Sequence, residues 1–517
     1  MQVGLYNRSL PTLGGGERYS LSLAEHLSRT HQVTFISHEA VTADAVRERL
    51  ALDVSRVTFL VFPSCAARDL ERMTARFDCF INASYQRFFP ARAGLNILMV
   101  YFPSPPTPGL LPAAKQRTAR LLKRIFMVPT LNNCSATLTN GGGHLTLKTL
   151  PALSLDLPGA GSDYSFSFQI ASGHPALHRV TAYLNDQPLR EIDLAPEGAF
   201  TTCEITVPRK TSPGPRVLVL ASEAGSPEPE GHPAALVLKD PHIRHPGQAL
   251  FRRLPDNPFP GWKNRLLRIP AEEPPVQACI DTYQAIWTIS DYSRRWVEEY
   301  WQRPSEIINP PVAVRQFHPG EKGPKILSVG RFFPGLHNKK HALLIAAFQK
   351  MVDQGLSGWE LHLAGGTRAE RPHRRYLEKL AARSRGYPIF FHPDLPHPDL
   401  VALYSASSIY WHACGYGENP RRHPDKFEHF GITTVEGMAS GCVPVVFGRG
   451  GQGEIVDHER NGFLWYDLRE LLRYTWLIIR DPSRRLRLAE QASRDSRRFD
   501  SSRFRARVSE LGAAVGL

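Results

Sequence analysis

The chain has 517 residues, of which 42% are hydrophobic and 22% charged, so it is too long for one compact core and too apolar for a disordered protein. No apolar run approaches the roughly 18 residues of a membrane span, and the formal net charge of +14 favours anionic partners such as nucleotides, nucleic acid or an acidic membrane surface. The seven cysteines, Cys65, Cys79, Cys134, Cys203, Cys279, Cys414 and Cys442, are scattered and form no C-x-x-C pair, which argues against a disulfide framework and against a zinc site.

The N-terminus, "MQVGLYNRSLPTLGGGERYS", lacks a basic region followed by a long apolar core. It reads as a first strand rather than a signal peptide, and a cytoplasmic location is expected. "VGLY", the glycine turn "LGGGERYS", the amphipathic "YSLSLAEHLSRT" and then "HQVTFIS" make a strand, loop, helix and strand. The short β-rich runs "VTFLVF", "FDCFINAS" and "NILMVYFP" continue a parallel, Rossmann-like sheet buried on both faces.

From 130 to 245 the pattern changes to strict alternation, as in "YSFSFQI", "HRVTAYLND", "TTCEITVP" and "PRVLVLAS". That period predicts an inserted antiparallel β-sandwich. The segment holds 8 Lys/Arg against 11 Asp/Glu, so the excess positive charge lies outside it. "EAGSPEPEGHP" near its end reads as a loop. The α/β rhythm returns with "TYQAIWTIS", with the helix "DYSRRWVEEYW", capped by Asp291 or Ser293, and with "SEIINPPV", a strand stopped by a double proline. A second βα series runs from "PKILSVGRFF" through "WELHLAGG", "YPIFFH", "SSIYWHA" and "CVPVVF". The expected fold class is α/β, two Rossmann-like domains facing a cleft with an all-β sandwich inserted in the first. The expected boundaries are 1–129 and 246–312 for the N-terminal acceptor domain and linker, 130–245 for the insert and 313–480 for the nucleotide-sugar domain. Helices over 481–517 are expected to pack back on the N-terminal domain.

The richest chemistry lies in "KFEHFGITTVEGMASGCVPVVFGRGGQGEIV", where Glu428 and Glu436 are separated by seven residues. Thr433 or Thr434 is the expected cap of a helix that Gly441 stops, with Glu436 in its first turn and Glu428 on the loop before it. Spacing alone fits two readings equally: carboxylates at an anion-binding helix start, or helix decoration with Glu436 complementing the dipole.

The wider run, "EHFGITTVEGMASGCVPVV" followed by "GGQGEIVDHERNGFL", resembles the retaining GT-B nucleotide-sugar glycosyltransferases of family 4, the glycosyl transferases group 1. Its wording is close to that of the mannosyltransferases that extend lipid-linked oligosaccharides from GDP-mannose. The resemblance implies that Glu428 binds the donor sugar, that the backbone of Phe430, Gly431 and Ile432, together with Thr433, approaches sugar and diphosphate, and that Glu436 accepts hydrogen bonds from the ribose. "SVGRFFPGLHNKKHALLIAAF" resembles the segment whose arginine and lysine bind the donor diphosphate. They are Arg331 and Lys339, with Lys340 the second match. Preorganised cations of this kind stabilise charge developing on a leaving diphosphate. Gly14, Gly15 and Gly16 resemble the family's N-terminal glycine loop, and they lack the G-x-G-x-x-G spacing of a dinucleotide site. Tyr101 stands where many relatives carry a histidine, and His412 lies just before the Glu428 loop.

The resemblance therefore implies transfer of a hexose, mannose or glucose, from a nucleotide-diphosphate sugar to a glycan or lipid-linked acceptor. It implies retention, no metal and no cofactor beyond the donor itself. The expected catalytic residues are Glu428, Arg331 and Lys339. The segment "AAKQRTARLLKRIFMV", with Lys115, Arg117, Arg120, Lys123 and Arg124 at helical spacing, fits an anionic bilayer at the inner membrane face, and fits somewhat better an ordinary surface helix with one buried stripe. A sugar phosphorylase on the same fold and a non-catalytic carbohydrate-binding protein are the rival readings. No basic motif interleaved with aromatic residues supports nucleic-acid binding.

Overall fold

The computed structural model describes residues 1–62, 67–105, 130–138, 145–157, 164–172, 179–184, 187–195, 199–207, 216–222, 236–244, 274–335, 338–367 and 371–517. The basic segment from Lys115 to Arg124 and the "EAGSPEPEGHP" loop lie outside them. The chain divides into two compact units, one of Met1–Leu13, Leu27–Leu98 and Pro105–Gln284, the other of Gly14–His26, Met99–Ser104 and Ala285–Leu517.

The first unit opens with β1 (Gln2–Tyr6). After α1 (Gly15–Leu27), most of which belongs to the second unit, it continues with β2 (Gln32–Ser37), α2 (Ala43–Leu50), β3 (Val57–Val61), α3 (Ala67–Thr74), β4 (Cys79–Asn82) and β5 (Leu95–Val100). These five strands pair in parallel in the order β5-β4-β1-β2-β3. All four residues of β4 are buried, as are four of the five in β1, which matches their unbroken apolar runs.

The alternating segment forms β6 (Thr130–Leu138), β7 (Leu145–Leu157), β8 (Tyr164–Ser172), β9 (Arg179–Leu184), β10 (Gln187–Asp193), β11 (Thr201–Val207), β12 (Arg216–Ser222) and β13 (Leu236–Arg244). Phe166, Phe168 and Ile170 are buried while Ser165, Ser167 and Gln169 are only partly so, which is the period-two pattern read from the sequence. The hydrogen bonds join all eight strands into one antiparallel sheet where two separate sheets were expected. β7 is long enough to pair β6 along one edge and β13 and then β12 along the other. The unit ends with the short α4 (Val276–Ile280).

The second unit adds β14 (Ala285–Thr288), α5 (Asp291–Trp301) and β15 (Glu306–Ile307). Ser290 caps α5, its hydroxyl accepting from the Ser293 amide, so neither Asp291 nor Ser293 is the cap. Ser290 has the extended backbone that a cap needs, and Asp291 already lies inside the helix. Then follow β16 (Lys325–Val329), α6 (His341–Asp353), β17 (Glu360–Gly365), α7 (Arg371–Arg383), β18 (Ile389–Pro393), α8 (His397–Ala406), β19 (Ile409–His412), α9 (Ile432–Ala439), β20 (Val443–Phe447) and β21 (Phe463–Trp465). The six strands are parallel in the order β18-β17-β16-β19-β20-β21. One face is sealed by a core that includes Phe348, Trp411, Val445, Trp465 and Ile478.

Three helices close the chain: α10 (Leu468–Arg480), α11 (Pro482–Ser496) and α12 (Ser501–Val515). In α12, Phe504 meets the Tyr19 ring edge-on at 5.6 Å, and Arg507 pairs with Glu306. No helix among the described residues is long and apolar enough to cross a membrane.

Candidate active site

In the six-stranded sheet the chain runs from β16 outward to β17 and β18 on one side and through β19, β20 and β21 on the other. The crevice beyond the carboxyl ends of β16 and β19 is where ligands bind in such sheets. Gly330 and Arg331 follow β16, and His412 ends β19. A Cβ at Gly330 would stand 2.5 Å from Lys339 Cγ. Only glycine lets the Lys339 chain lie against the strand end.

Lys339 and Glu428 form an ion pair through Glu428 Oε2, and the same oxygen accepts from His412 Nε2 at 2.7 Å. The three side chains are 19%, 17% and 3% exposed. Burial acts to raise the Glu428 pKa, but the Lys339 charge and the His412 hydrogen bond outweigh it and hold the carboxyl well below its usual range. Lys339 is shifted up in turn: burial opposes this, Glu428 drives it, and neighbouring Arg331 works against it. Burial lowers His412. The centre is thus a carboxylate held between an ammonium and an imidazole.

Lys340 points elsewhere. It sits in the left-handed region (φ 58°) just before α6, and its ammonium reaches Glu418 at 2.7 Å. Glu418 also takes Lys426 at 2.9 Å, and the two lysines lower its pKa. Geometry therefore prefers Lys339 at the centre. Lys340→Ala should leave turnover within about threefold of wild type, because it removes only a partly exposed ion pair worth roughly 1 kcal/mol or less; steady-state kinetics checks it.

The helix bearing the second glutamate starts earlier than its threonines suggested. Gly431, with φ 126°, is the residue before α9, which begins at Ile432. A Cβ at Gly431 would also meet Gln452 Nε2 at 2.5 Å. Thr433 and Thr434 are therefore inside the helix rather than capping it. Glu436 is its fifth residue, beyond the first turn, so it does not complement the helix start. Instead Tyr404 Oη donates to Glu436 Oε2 at 3.0 Å, and the Arg18 charge lies nearby. Burial pushes the Glu436 carboxyl up to about 7, against the opposing pull of Arg18 and Tyr404.

The other expected residues surround this helix start. Phe430 is buried with its ring edge-on to Phe499 at 5.2 Å, which leaves its backbone as the part able to meet a ligand. The Thr433 hydroxyl accepts from Tyr410 Oη at 2.7 Å. Of the glycine loop, Gly14 donates its amide to Glu17 at 2.9 Å, and a Cβ on Gly15 would stand 3.2 Å from Ile432 Cδ1. The loop therefore abuts the start of α9. Tyr101 Oη donates to the Gly16 carbonyl at 2.8 Å, so its described role is to hold that loop. Arg331 is exposed.

Sequence reading did not single out Arg18, Tyr404 or Glu418. Arg18 lies one turn past Gly14 on α1, but Tyr404 on α8 and Glu418 on the loop after β19 carried no local signal. His412, Cys414 and Glu428 place one ligand atom each within 4.8 Å of one another. The donor set suits a cation poorly: Glu428 Oε2 is already shared by Lys339 and His412, and burial pushes the Cys414 thiol up to about 12.

Residues 313–495 match the protein family described as glycosyl transferases group 1. Over its whole length the chain shares its fold with the crystal structure of Anabaena HepE in complex with UDP and glucose (TM-score 0.53, 11% identity, 99% of each chain). It does so also with sucrose-phosphate synthase from Thermosynechococcus elongatus (TM-score 0.51, 11% identity, 100% of this chain and 99% of that one). The chain thus has the two-domain GT-B fold, and its residues 313–495 resemble the glycosyl transferases group 1. Within that class it resembles the lipid-linked-oligosaccharide mannosyltransferases. It is 27% identical over 249 residues to the GDP-Man:Man(3)GlcNAc(2)-PP-Dol alpha-1,2-mannosyltransferase of Xenopus tropicalis (45% of this chain, 48% of that one), and 29% identical over 216 residues to that of Dictyostelium discoideum (38% and 40%). The match spans about half the length of these relatives or less.

Proposed function

We propose that the protein is a retaining, metal-independent hexosyltransferase that moves mannose from GDP-mannose to a glycan or lipid-linked acceptor. The observation that carries this reading is the Lys339–Glu428–His412 centre at the carboxyl ends of β16 and β19, inside the segment that matches the family. Both described hydrogen bonds to Glu428 fall on Oε2, so Oε1 is the acceptor offered to a sugar hydroxyl. Lys339 and Arg331 supply positive charge where the diphosphate leaves, and a buried, preorganised cation stabilises that charge more than water would. The first backbone N–H groups of α9, beside the glycine loop, suit the phosphate oxygens. Glu436, further along the same helix, is the acceptor for the ribose hydroxyls.

Mannose and guanine are taken from the relatives, whose names specify GDP-mannose. Neither a cofactor nor a metal enters the proposed reaction, and the chain works at the inner face of a membrane when its acceptor is lipid-linked. The test is calorimetric titration of the full-length protein with GDP, UDP, GDP-mannose, UDP-glucose and UDP-N-acetylglucosamine. GDP-mannose is expected to bind in the micromolar range, with UDP-glucose at least tenfold weaker. No binding by any member of the panel would sink the transferase reading, and tighter binding of a UDP-sugar would reassign the donor. Anomeric configuration of the product by NMR, with and without chelator, decides retention and metal independence.

A further inference from the structure

The parallel sheet of the first unit has a switch point of its own. From β1 the chain passes to β2 and β3 on one side, while β4 and β5 lie on the other, so the crevice opens beyond the carboxyl ends of β1 and β4. Tyr6 and Asn82 are paired at these ends. Arg8 follows β1, exposed, with its amide bonded to Ser84 Oγ at 3.2 Å. Arg87 follows β4, and its carbonyl is held by Asn82 Nδ2 at 2.9 Å, Asn82 itself being fully buried. The Tyr283 hydroxyl, 3.2 Å from Asn82 Nδ2, donates to the Phe89 carbonyl at 2.9 Å and fixes the far side of the turn.

His38, at the end of β2, is 2% exposed. Its Nδ1 lies 2.8 Å from the Phe62 carbonyl, which can only accept, so Nδ1 carries the proton and Nε2 accepts from Tyr6 Oη at 2.8 Å. Both nitrogens are used within the fold. Burial first, with Arg8 and Arg87 adding to it against the Phe62 carbonyl, pushes this imidazole down to about 4, and the backbone bonds to Ser84 and Asn82 anchor both arginines at the adjacent ends of β1 and β4. The positive charge of the crevice is carried by two guanidiniums, beside a histidine that burial keeps neutral.

We propose that Arg8 and Arg87, at the carboxyl ends of β1 and β4, form an anion pocket that takes a phosphate or diphosphate group of the acceptor. This rests on the reading above, in which the N-terminal half receives the acceptor. Two guanidinium forks suit a phosphoryl group, which presents oxygens on several sides, whereas one fork already satisfies a carboxylate. Neither arginine reacts; they fix the acceptor by its charge.

The full-length protein, saturated with GDP, is titrated with inorganic pyrophosphate, geranyl diphosphate, glucose 1-phosphate and glucose. Pyrophosphate is expected to bind, glucose is not, and the Arg8→Gln and Arg87→Gln variants should each weaken pyrophosphate by about tenfold while GDP affinity stays the same. Tighter binding of geranyl diphosphate than of glucose 1-phosphate assigns a lipid carrier, and the reverse assigns a soluble sugar phosphate. Equal pyrophosphate affinity in wild type and in both variants overturns the pocket. If GDP itself fails to bind, the transferase reading falls, and the same comparison without GDP still decides the pocket. Arg8 is exposed, so its variant reports on binding even if Arg87→Gln unfolds.

Discussion

Lys339→Ala is expected to lower the turnover of sugar transfer by roughly 10²–10³-fold, the scale seen when one preorganised stabiliser of developing charge is removed. Its ammonium is paired with Glu428 and only 19% exposed, so no water or neighbouring cation readily replaces it. The substitution also strands a mostly buried carboxylate with His412 as its remaining described partner, at a stability cost on the order of 3 kcal/mol. The two effects separate in the double variant Lys339→Met with Glu428→Gln. There the stranded charge is gone and thermal unfolding should return close to wild type, while turnover stays low. Turnover within tenfold of wild type in a folded Lys339→Ala protein would remove Lys339 from the reaction.

Glu436→Gln should make the unliganded protein more stable and its donor binding weaker. Burial raises the folded carboxyl to about 7 from its ordinary 4.5, so the native state holds its proton more tightly than the unfolded chain does. The stability that this group contributes is fully present below about 4.5 and is lost as pH rises through about 7. A neutral amide keeps the shape without the buried charge. The gain over wild type should therefore be near zero at pH 4.5 and grow to on the order of 1–3 kcal/mol at pH 8, read from denaturant unfolding at both pH values. Donor affinity at pH 8 should fall by about tenfold, since hydrogen bonds to a charged acceptor contribute more than those to an amide. In wild type, donor binding between pH 6 and 7 should release a proton, visible in calorimetry as a dependence on the ionisation heat of the buffer. A Gln variant less stable than wild type at pH 8 would contradict the burial argument.

Much of this arrangement was legible from local chemistry. The change from helical to alternating period at residue 130 marks the antiparallel segment, because a strand with one buried face must alternate. The short apolar runs before and after it mark parallel strands, because both their faces are covered. Glu428, Glu436, Arg331 and Lys339 could be named because the runs around them resemble a known family; the spacing of the two glutamates alone fitted helix decoration equally well. Helix starts were misplaced where the deciding quantity is a backbone angle: Gly431 at φ 126° begins α9, and Ser290 rather than its acidic neighbour caps α5.

The sequence by itself determined the periods, the strand and helix order and the loop that carries both glutamates, since these depend on residues a few positions apart. Only the tertiary structure decided which lysine meets Glu428, that His412 shares the same oxygen, and that Tyr404 and Arg18 surround Glu436. Lys339 and Lys340 are adjacent in the chain and chemically identical. The turn before α6 sends one to Glu428 and the other to Glu418. Likewise Glu428 and Glu436 are the same side chain eight positions apart, one held well below the usual carboxylate range by an ammonium and the other raised to about 7 by burial. The ammonium comes from 89 residues away in the chain and the burial from the surrounding fold, neither of which a local pattern encodes.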